Sequence, residues 1–466
     1  MTDYLSFLEA KSQTKNDYGF APTFLPDLLF DFQKSLVEWA TVKGRAAIFA
    51  DCGLGKTFCQ LAWAENVARH TGGRILILTP LAVSFQTVLE GEKIGVEVTH
   101  RREGIHPTDR IVVTNYERLH YFNCADFDGV VCDESSILKN FSGQTKADIT
   151  RFMAKRPYRL LCTATAAPND YVELGTSSEA LGELSYLDML KMFFKSTDNA
   201  YTPGGHGVTG IRRFNYDPFG GKYRFIGHAE RDFWRWVCSW ARAMRTPSDL
   251  GFSDEGFKLP PLIVNEHIVN SRSASPDMLF PMLAVSLDEQ REELRRTIPE
   301  RCEMAAALVV AHDGATVSWC HLNDEGKMLR HLIPGSVEIS GSDSDDRKES
   351  VFADFAKGNI QHIITKPKIA GFGLNWQHCA RHTFFPSHSY EQYYQAVRRS
   401  WRFGQKNPVT VDLIITESQE YILKNLQRKS DAASQMFAQL VALMRNELKI
   451  RKVEQNETAT EVPSWL

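Results

Sequence analysis

The chain has 466 residues, 43% hydrophobic and 24% charged, with 54 Lys and Arg against 57 Asp and Glu for a formal net charge of −3. That length accommodates two α/β domains and a further element of about 80 to 100 residues. The charge balance excludes a generic polycation that coats nucleic acid, while leaving room for one basic groove on an acidic molecule. No apolar stretch reaches membrane-spanning length and the segment Met1 to Ala10 lacks the basic region of a signal peptide, so a cytoplasmic protein with no membrane partner is expected. The nine cysteines, at 52, 59, 124, 132, 162, 238, 302, 320 and 379, include no Cys-x-x-Cys pair. That distribution fits reduced, mostly buried thiols, and no structural zinc is expected.

Residues 1–30 read as a leader ending in a loop and short helix over the first domain. Asp31 to Ala40 then places Phe32, Leu36, Val37 and Ala40 on one helical face. Gln33, beside Phe32, carries a carboxamide that both accepts and donates, the pattern needed to read an adenine edge; a solvated Gln is the equal alternative. Arg45 to Phe49 reads as a strand and Lys56 to Ala68 as a helix, so Gly53 and Gly55 lie at a strand-to-helix turn. Glycines there let successive amides converge on phosphates, Lys56 reaches phosphate oxygens, and Thr57 offers a hydroxyl to Mg²⁺. Ala50 stands where the strict phosphate-loop pattern has glycine.

Four more apolar runs, Arg74–Thr79, Arg110–Thr114, Phe127–Cys132 and Tyr158–Thr163, alternate with helical segments, which predicts a parallel sheet buried on both faces. Ligands gather at the carboxyl ends of such strands. Asp133 and Glu134 end the third of these runs: Asp133 is placed to hold Mg²⁺ and Glu134 to orient or deprotonate the attacking water. Thr163 and Thr165, followed by Pro168 and Asn169, end the fourth with hydroxyls able to relay the loss of a γ-phosphate.

Residues 171–300 break this rhythm. They hold a helix over Leu184–Phe194, glycine-rich loops and an aromatic helix over Phe233–Met244. Trp236 and Trp240 share a face that suits a core better than a base-stacking platform, and Arg235, Arg242 and Arg245 are candidates for a phosphate-binding rim. From Arg291 the alternation resumes, with strands at Ala315–Cys320, Val337–Ser340, His362–Thr365 and Val409–Ile415, the last closing the sheet. A helix over about 417–447 and a loose tail follow. The expected division is therefore 1–170, 171–300, 301–430 and 431–466. This second α/β unit has no phosphate loop; its polar features are Gly371 to Asn375 and Gln395 to Gln405. Arg399 and Arg402, three apart, are placed on one face of a helical turn.

In this order, the motifs resemble those of superfamily-two nucleic-acid-dependent ATPases of the Swi/Snf type, which include small bacterial and bacteriophage members. Asp51 to Thr57 is similar to the family's phosphate loop, Phe32-Gln33 to its upstream aromatic-Gln element, and Asp133 to Asn140 to its Asp-Glu-x-His-x-x-Lys-Asn, with Ser136 in place of His. Thr163 to Asn169 corresponds to the coupling motif, Gly371 to Asn375 to Gly-x-Gly-Leu-Asn, and Gln395, Arg399, Arg402, Gly404 and Gln405 to Gln-x-x-x-Arg-x-x-Arg-x-Gly-Gln. The resemblance spans roughly residues 30–430. It implies an α/β fold of two RecA-like parallel-sheet domains in tandem with a largely helical insert, with ATP and Mg²⁺ as cofactors.

By the same resemblance, Lys56, Asp133, Glu134, Arg399 and Arg402 are catalytic, and Phe32, Gln33, Gly53, Gly55, Lys56, Thr57, Gly373 and Gln395 bind nucleotide. Thr57 and Asp133 hold the metal, and Thr163 and Thr165 couple the site to the second domain. Pro80, Thr114, Asn115, Lys139, Thr365 and Asn375 are the implied contacts to duplex DNA. The implied activity is DNA-stimulated ATP hydrolysis driving translocation or remodelling, with or without strand separation and with a recruiting protein partner. An ATP-gated binding or recruitment subunit with slow turnover is the alternative of a different class.

Overall fold

The computed structural model describes residues 18–167, 170–196, 223–270, 287–370 and 375–457. The chain divides into two compact units, residues 1–254 with 431–466, and residues 255–430. In the first unit, β1 (Arg45–Ala50), β2 (Ile75–Thr79), β3 (Val98–His100), β4 (Ile111–Asn115), β5 (Gly129–Asp133), β6 (Tyr158–Cys162) and β9 (Ala241–Met244) form a seven-stranded sheet. Its order is β3-β4-β2-β5-β6-β1-β9 and every pairing is parallel. β7 (Phe194–Ser196) and β8 (Tyr223–Phe225) make a separate antiparallel pair.

The near-continuous apolar runs of β1, β2, β4 and β5 are buried along their length, as a sheet covered on both faces requires. Trp63, fully buried on the Lys56–Thr71 helix, donates from Nε1 to Ala40 O at 3.2 Å, tying that helix to the Asp31–Lys43 helix. Asn66 on the same helix binds the backbone of Thr23 and Phe24, which anchors the leader. Residues 18–30 contain no helix, and the rest of the leader lies outside the described residues.

The described residues of the segment from 171 to 254 pack into the first unit. The helices Leu174–Leu181, Tyr186–Phe193 and Ala229–Trp240 contribute Leu181, Phe193, Trp234, Trp236 and Trp240 to its core, and Met436, Phe437, Leu440, Val441 and Met444 of the Glu420–Glu457 helix join them. Trp236 and Trp240 are thus core residues. The aromatic helix stops at Trp240 rather than Met244, because Ala241–Met244 pairs with the otherwise open edge of β1. Ala-Arg-Ala-Met suits a helix by local propensity, and the edge overrides it. Arg242 is not a rim residue: its guanidinium donates to Cys238 O and Ala241 O and lies over the Trp39 ring.

The second unit's sheet comprises β10 (Leu262–Val269), β11 (Thr316–Trp319), β12 (Val337–Ile339), β13 (His362–Thr365), β14 (Arg381–Phe384) and β15 (Val409–Thr416). It is again all parallel, in the order β10-β15-β14-β11-β13-β12. β15 does not close this sheet; β10 lies outside it and pairs along all eight of its residues. Asp412, fully buried on β15, explains the polar residues on its neighbours: it accepts from Asn265, His267 and Arg381. Arg301 and Glu325 form an equally buried ion pair at 2.7 Å, with Glu325 also accepting from the backbone N–H of His321 and Leu322.

Candidate functional site

In the first unit, the chemistry collects at the carboxyl ends of β1, β5 and β6. β1 ends at Ala50, and the chain turns through Gly53 (φ 87°) and Gly55 (φ 73°) into the Lys56–Thr71 helix. Both glycines hold left-handed backbone that a side chain would strain. Gly55 is doubly constrained, since a Cβ there would lie 2.2 Å from Gln33 Nε2. Gln33 is buried rather than solvated: it accepts from Phe30 N–H at 2.9 Å and donates to Leu54 O at 3.0 Å, bracing the loop from behind. Phe32, beside it, is also buried. Lys56 Nζ donates to Ala50 O at 2.9 Å and Asp51 O at 3.3 Å, so its ammonium curls over the loop's own carbonyls. Thr57 follows at the helix start and is half-buried.

β5 delivers Asp133 and Glu134 to the same edge, both buried. Burial, and next to it the charge of Glu134, push the Asp133 carboxyl above the usual carboxylate range, while Gln60 and Lys56 oppose the shift. Gln60, one helical turn beyond Lys56, donates from Nε2 to Asp133 Oδ1 at 2.6 Å. The Tyr116 hydroxyl donates to the main-chain carbonyl of Asp133. Glu134 has φ 52°, the only left-handed backbone outside glycine among the described residues. Such a conformation costs about 1 kcal/mol or more and persists where the surroundings fix it.

β6 supplies the third group. Thr163 Oγ1 donates to Glu134 Oε2 at 3.3 Å and accepts from Thr165 N–H at 3.0 Å, so Thr163 touches the acid pair and Thr165 is tied to it through Thr163. Ser136, where the resemblance has His, is buried, and the link from Glu134 to β6 passes through Thr163 instead. Pro168 and Asn169 lie outside the described residues. Sequence reasoning missed Gln60 and Tyr116. The signal for Gln60 was its spacing of four from Lys56 on a helix whose neighbours Cys59, Leu61 and Ala62 are apolar.

The donor set suits Mg²⁺: a hydroxyl at a helix start, a buried carboxylate and a second carboxylate beside it are hard oxygen ligands. Magnesium takes one or two protein carboxylates and completes its shell with water and phosphate oxygens. Among the described residues no group of three or more His, Cys, Asp or Glu could hold a metal. No described helix is long and apolar enough to cross a membrane.

The other implied residues are placed as follows. Thr114 and Asn115 end β4 and are buried, Pro80 and Lys139 are half-buried, and Thr365 is fully buried with its hydroxyl donating to Ile339 O at 3.2 Å. Thr114 and Thr365 therefore present no side chain to solvent. In the second unit, the Tyr390–Val397 helix ends before the arginines, so Arg399 and Arg402 occupy the turns that follow rather than a helical face. The reason is visible in the backbone: Arg399 N–H bonds back to Ala396 O and Arg399 O accepts from Trp376 N–H at 2.9 Å, diverting the chain. Arg399 is buried, Arg402 half-buried, Gln395 buried and Asn375 half-buried. Gln405 Nε2 donates to Gln377 O, Cys379 O and Ser400 O, fixing the run. Gly373 lies outside the described residues.

No family model matches this chain, and no curated protein matches it in sequence. Among solved structures it is similar to the Sulfolobus solfataricus SWI2/SNF2 ATPase core in complex with double-stranded DNA, at 17% identity over 92% of this chain and 98% of that one, with a TM-score of 0.40. It is similar to Mycobacterium smegmatis helicase Lhr bound to single-stranded DNA and AMP-PNP, at 13% identity, 85% and 48% coverage and a TM-score of 0.48. It is similar to S. cerevisiae Dbp5 bound to RNA and ADP BeF3, at 11% identity, 89% and 98% coverage and a TM-score of 0.51. The last likeness, over nearly all of both chains, shows a shared fold of two RecA-like parallel-sheet units.

Proposed function

We propose that this protein is an ATP-hydrolysing nucleic-acid motor of the Swi/Snf-like kind that translocates along or remodels duplex DNA. The observation that carries the reading is the convergence of Lys56, Thr57, Asp133, Glu134 and Thr163 at one sheet edge, with Gln60 and Gln33 holding the acid and the loop. Lys56 exchanges its bonds to Ala50 O and Asp51 O for phosphate oxygens when ATP enters, so the loop carbonyls act as placeholders for the ammonium. Thr57 and Asp133 would hold Mg²⁺, which neutralises charge on the transferring phosphoryl group. Glu134 orients the attacking water, and Thr163 reports the state of Glu134 to the β6 end. Gln33 selects adenine. Arg399 and Arg402 of the second lobe supply the charge that the first lobe lacks for the γ-phosphoryl group; closure of an active site on such residues makes hydrolysis conditional.

Duplex DNA is named because the motif resemblance is to Swi/Snf-type motors. A backbone-tracking motor contacts phosphates, so binding is electrostatic and salt-sensitive. The regions near Pro80, Thr114, Asn115, Lys139, Thr365 and Asn375 are the proposed track, through main chain and neighbouring side chains where the named residue is buried. The proposed division of labour is 1–170 for the nucleotide lobe, 171–300 for the insert, 301–430 for the second lobe and 431–466 for the terminal helix and tail. Steady-state turnover of ATP against GTP, for wild type and Gln33→Ala, tests the nucleotide reading. ATP preference that is lost in the variant supports it, and equal turnover of both nucleotides by wild type refutes it.

A further inference from the structure

Asp133 is gripped on three sides. Its main-chain carbonyl accepts from the Tyr116 hydroxyl, the residue after it is locked at φ 52°, and its Oδ1 accepts from Gln60. Of these contacts only Gln60 acts on the carboxylate itself. The bond is short for a neutral donor, 2.6 Å, and both partners are shut away from solvent: Gln60 is 0% exposed and Asp133 6%. A buried amide facing a carboxylate must present its NH₂ edge, because its carbonyl would repel the charge.

Gln60 also stands on the same helix as Lys56 and Thr57, one turn further in. Its amide therefore fixes the distance between the helix that carries the phosphate loop and the strand that carries the acids. With Oδ1 occupied by a donor, the carboxylate cannot spin about its terminal torsion, which is otherwise broad and twofold. The Glu134 backbone N–H also favours the charged carboxylate, so two donors fix its orientation. A single well-placed hydrogen bond that sets a ligand's orientation changes metal affinity by about 10- to 100-fold when it is removed.

We propose that Gln60 is a positioning residue that presents Asp133 to the divalent cation accompanying the nucleotide. The inference rests on the ATPase reading above, and it predicts a selective defect: cation affinity falls while the affinity for cation-free nucleotide stays. A structural role alone would lower both together, because loosening the loop helix disturbs Lys56 and Thr57 as well.

The test uses the full chain and two variants. Gln60→Met keeps volume and removes the donor; Gln60→Asn keeps the donor but is one methylene too short to reach Oδ1. Fluorescent ADP binding is measured in EDTA, and Mn²⁺ binding to the ADP complex is measured by loss of the free-ion paramagnetic resonance signal. The expected result is at least a 10-fold weaker Mn²⁺ affinity in both variants, with ADP affinity in EDTA within about twofold of wild type. Mn²⁺ affinity unchanged in either variant that folds overturns the proposal, as does an equal loss of Mn²⁺ and ADP affinity. If Gln60→Met fails to fold, Gln60→Asn decides by the same two readings; if neither variant folds, Gln60 is a structural residue and the proposal fails. Wild type that binds neither ADP nor Mn²⁺ refutes the ATPase reading instead, which separates the two failures.

Discussion

The two lobes share a sheet plan and differ in how their polar groups are held. In the first, the candidate residues bond to one another: Gln60 to Asp133, Thr163 to Glu134, Gln33 to the loop that carries Lys56. In the second, Gln395, Arg399 and Gln405 are buried in their own unit, with Arg399 O tied to Trp376 and Gln405 spanning three carbonyls, while Arg402 is half-buried. The first lobe is thus built as a site, with acids, ammonium and hydroxyls already juxtaposed. The second is built as a rigid mount, its polar groups bonded within their own unit. A motor with this division would hold nucleotide on one lobe and make its cleavage depend on the other.

The largest expected effect tests the mount rather than the site. Arg301 and Glu325 are both 1% exposed, and removing one partner of such a pair strands a charge at a cost of about 3 to 5 kcal/mol. Arg301→Met should lower the second lobe's unfolding transition by about 10 °C and leave ADP binding by the first lobe intact. Calorimetry with and without ADP checks both halves; a loss of ADP binding would mean that the lobes are not energetically separate.

Within the first lobe, Glu134→Gln should retain ATP and cut turnover by about 100-fold or more, since the role proposed for Glu134 is on the attacking water alone. Equilibrium binding beside steady-state hydrolysis checks this, and turnover within twofold of wild type would remove Glu134 from the role. A smaller loss, about 10-fold or more, is expected for Arg399→Ala or Arg402→Ala, with ATP affinity kept and poor rescue by Lys, whose point charge lacks the forked geometry. Should the arginine variants lose affinity instead, the contrast between a site and a delivered charge would collapse.

The last difference is one of pH. Trp319 Nε1 donates to the Nδ1 of fully buried His382 at 2.9 Å, and burial holds that imidazole down to about 3. Below the ordinary imidazole range near 6.5, the unfolded chain takes up a proton that the native second lobe refuses. The stability is therefore fully present above pH 6.5 and falls as pH drops towards 3, by about 2 kcal/mol at pH 5. Urea unfolding of the second lobe at pH 7 and pH 5 should show that loss in wild type and less of it in His382→Asn; parallel pH slopes for the two would assign the effect elsewhere.

What could be read in the residues follows from where each chemistry is written. The phosphate loop lies in ten consecutive residues and Asp133-Glu134 at the end of an apolar run, so local pattern sufficed. β13 fell where its short apolar run predicted, because both its faces are covered. β10 and β14 escaped notice because Asn265, His267, Arg381 and His382 make them look like polar loops; their partners, Asp412 and Trp319, are far away in sequence. Gln60 escaped for the same reason, since its meaning depends on Asp133, 73 residues later. The motif resemblance named Arg399 and Arg402, while their place on turns was set by a backbone bond to Trp376 that no local pattern encodes.

Whether these lobes form the proposed DNA-driven ATPase is decided by ATP turnover measured with duplex DNA, single-stranded DNA and RNA of matched length at low salt. Glu134→Gln serves as the background control. Turnover is expected to be stimulated most by duplex DNA, suppressed by added salt and abolished in the variant. Turnover equal in the presence and absence of every nucleic acid, or equal in wild type and Glu134→Gln, would contradict it.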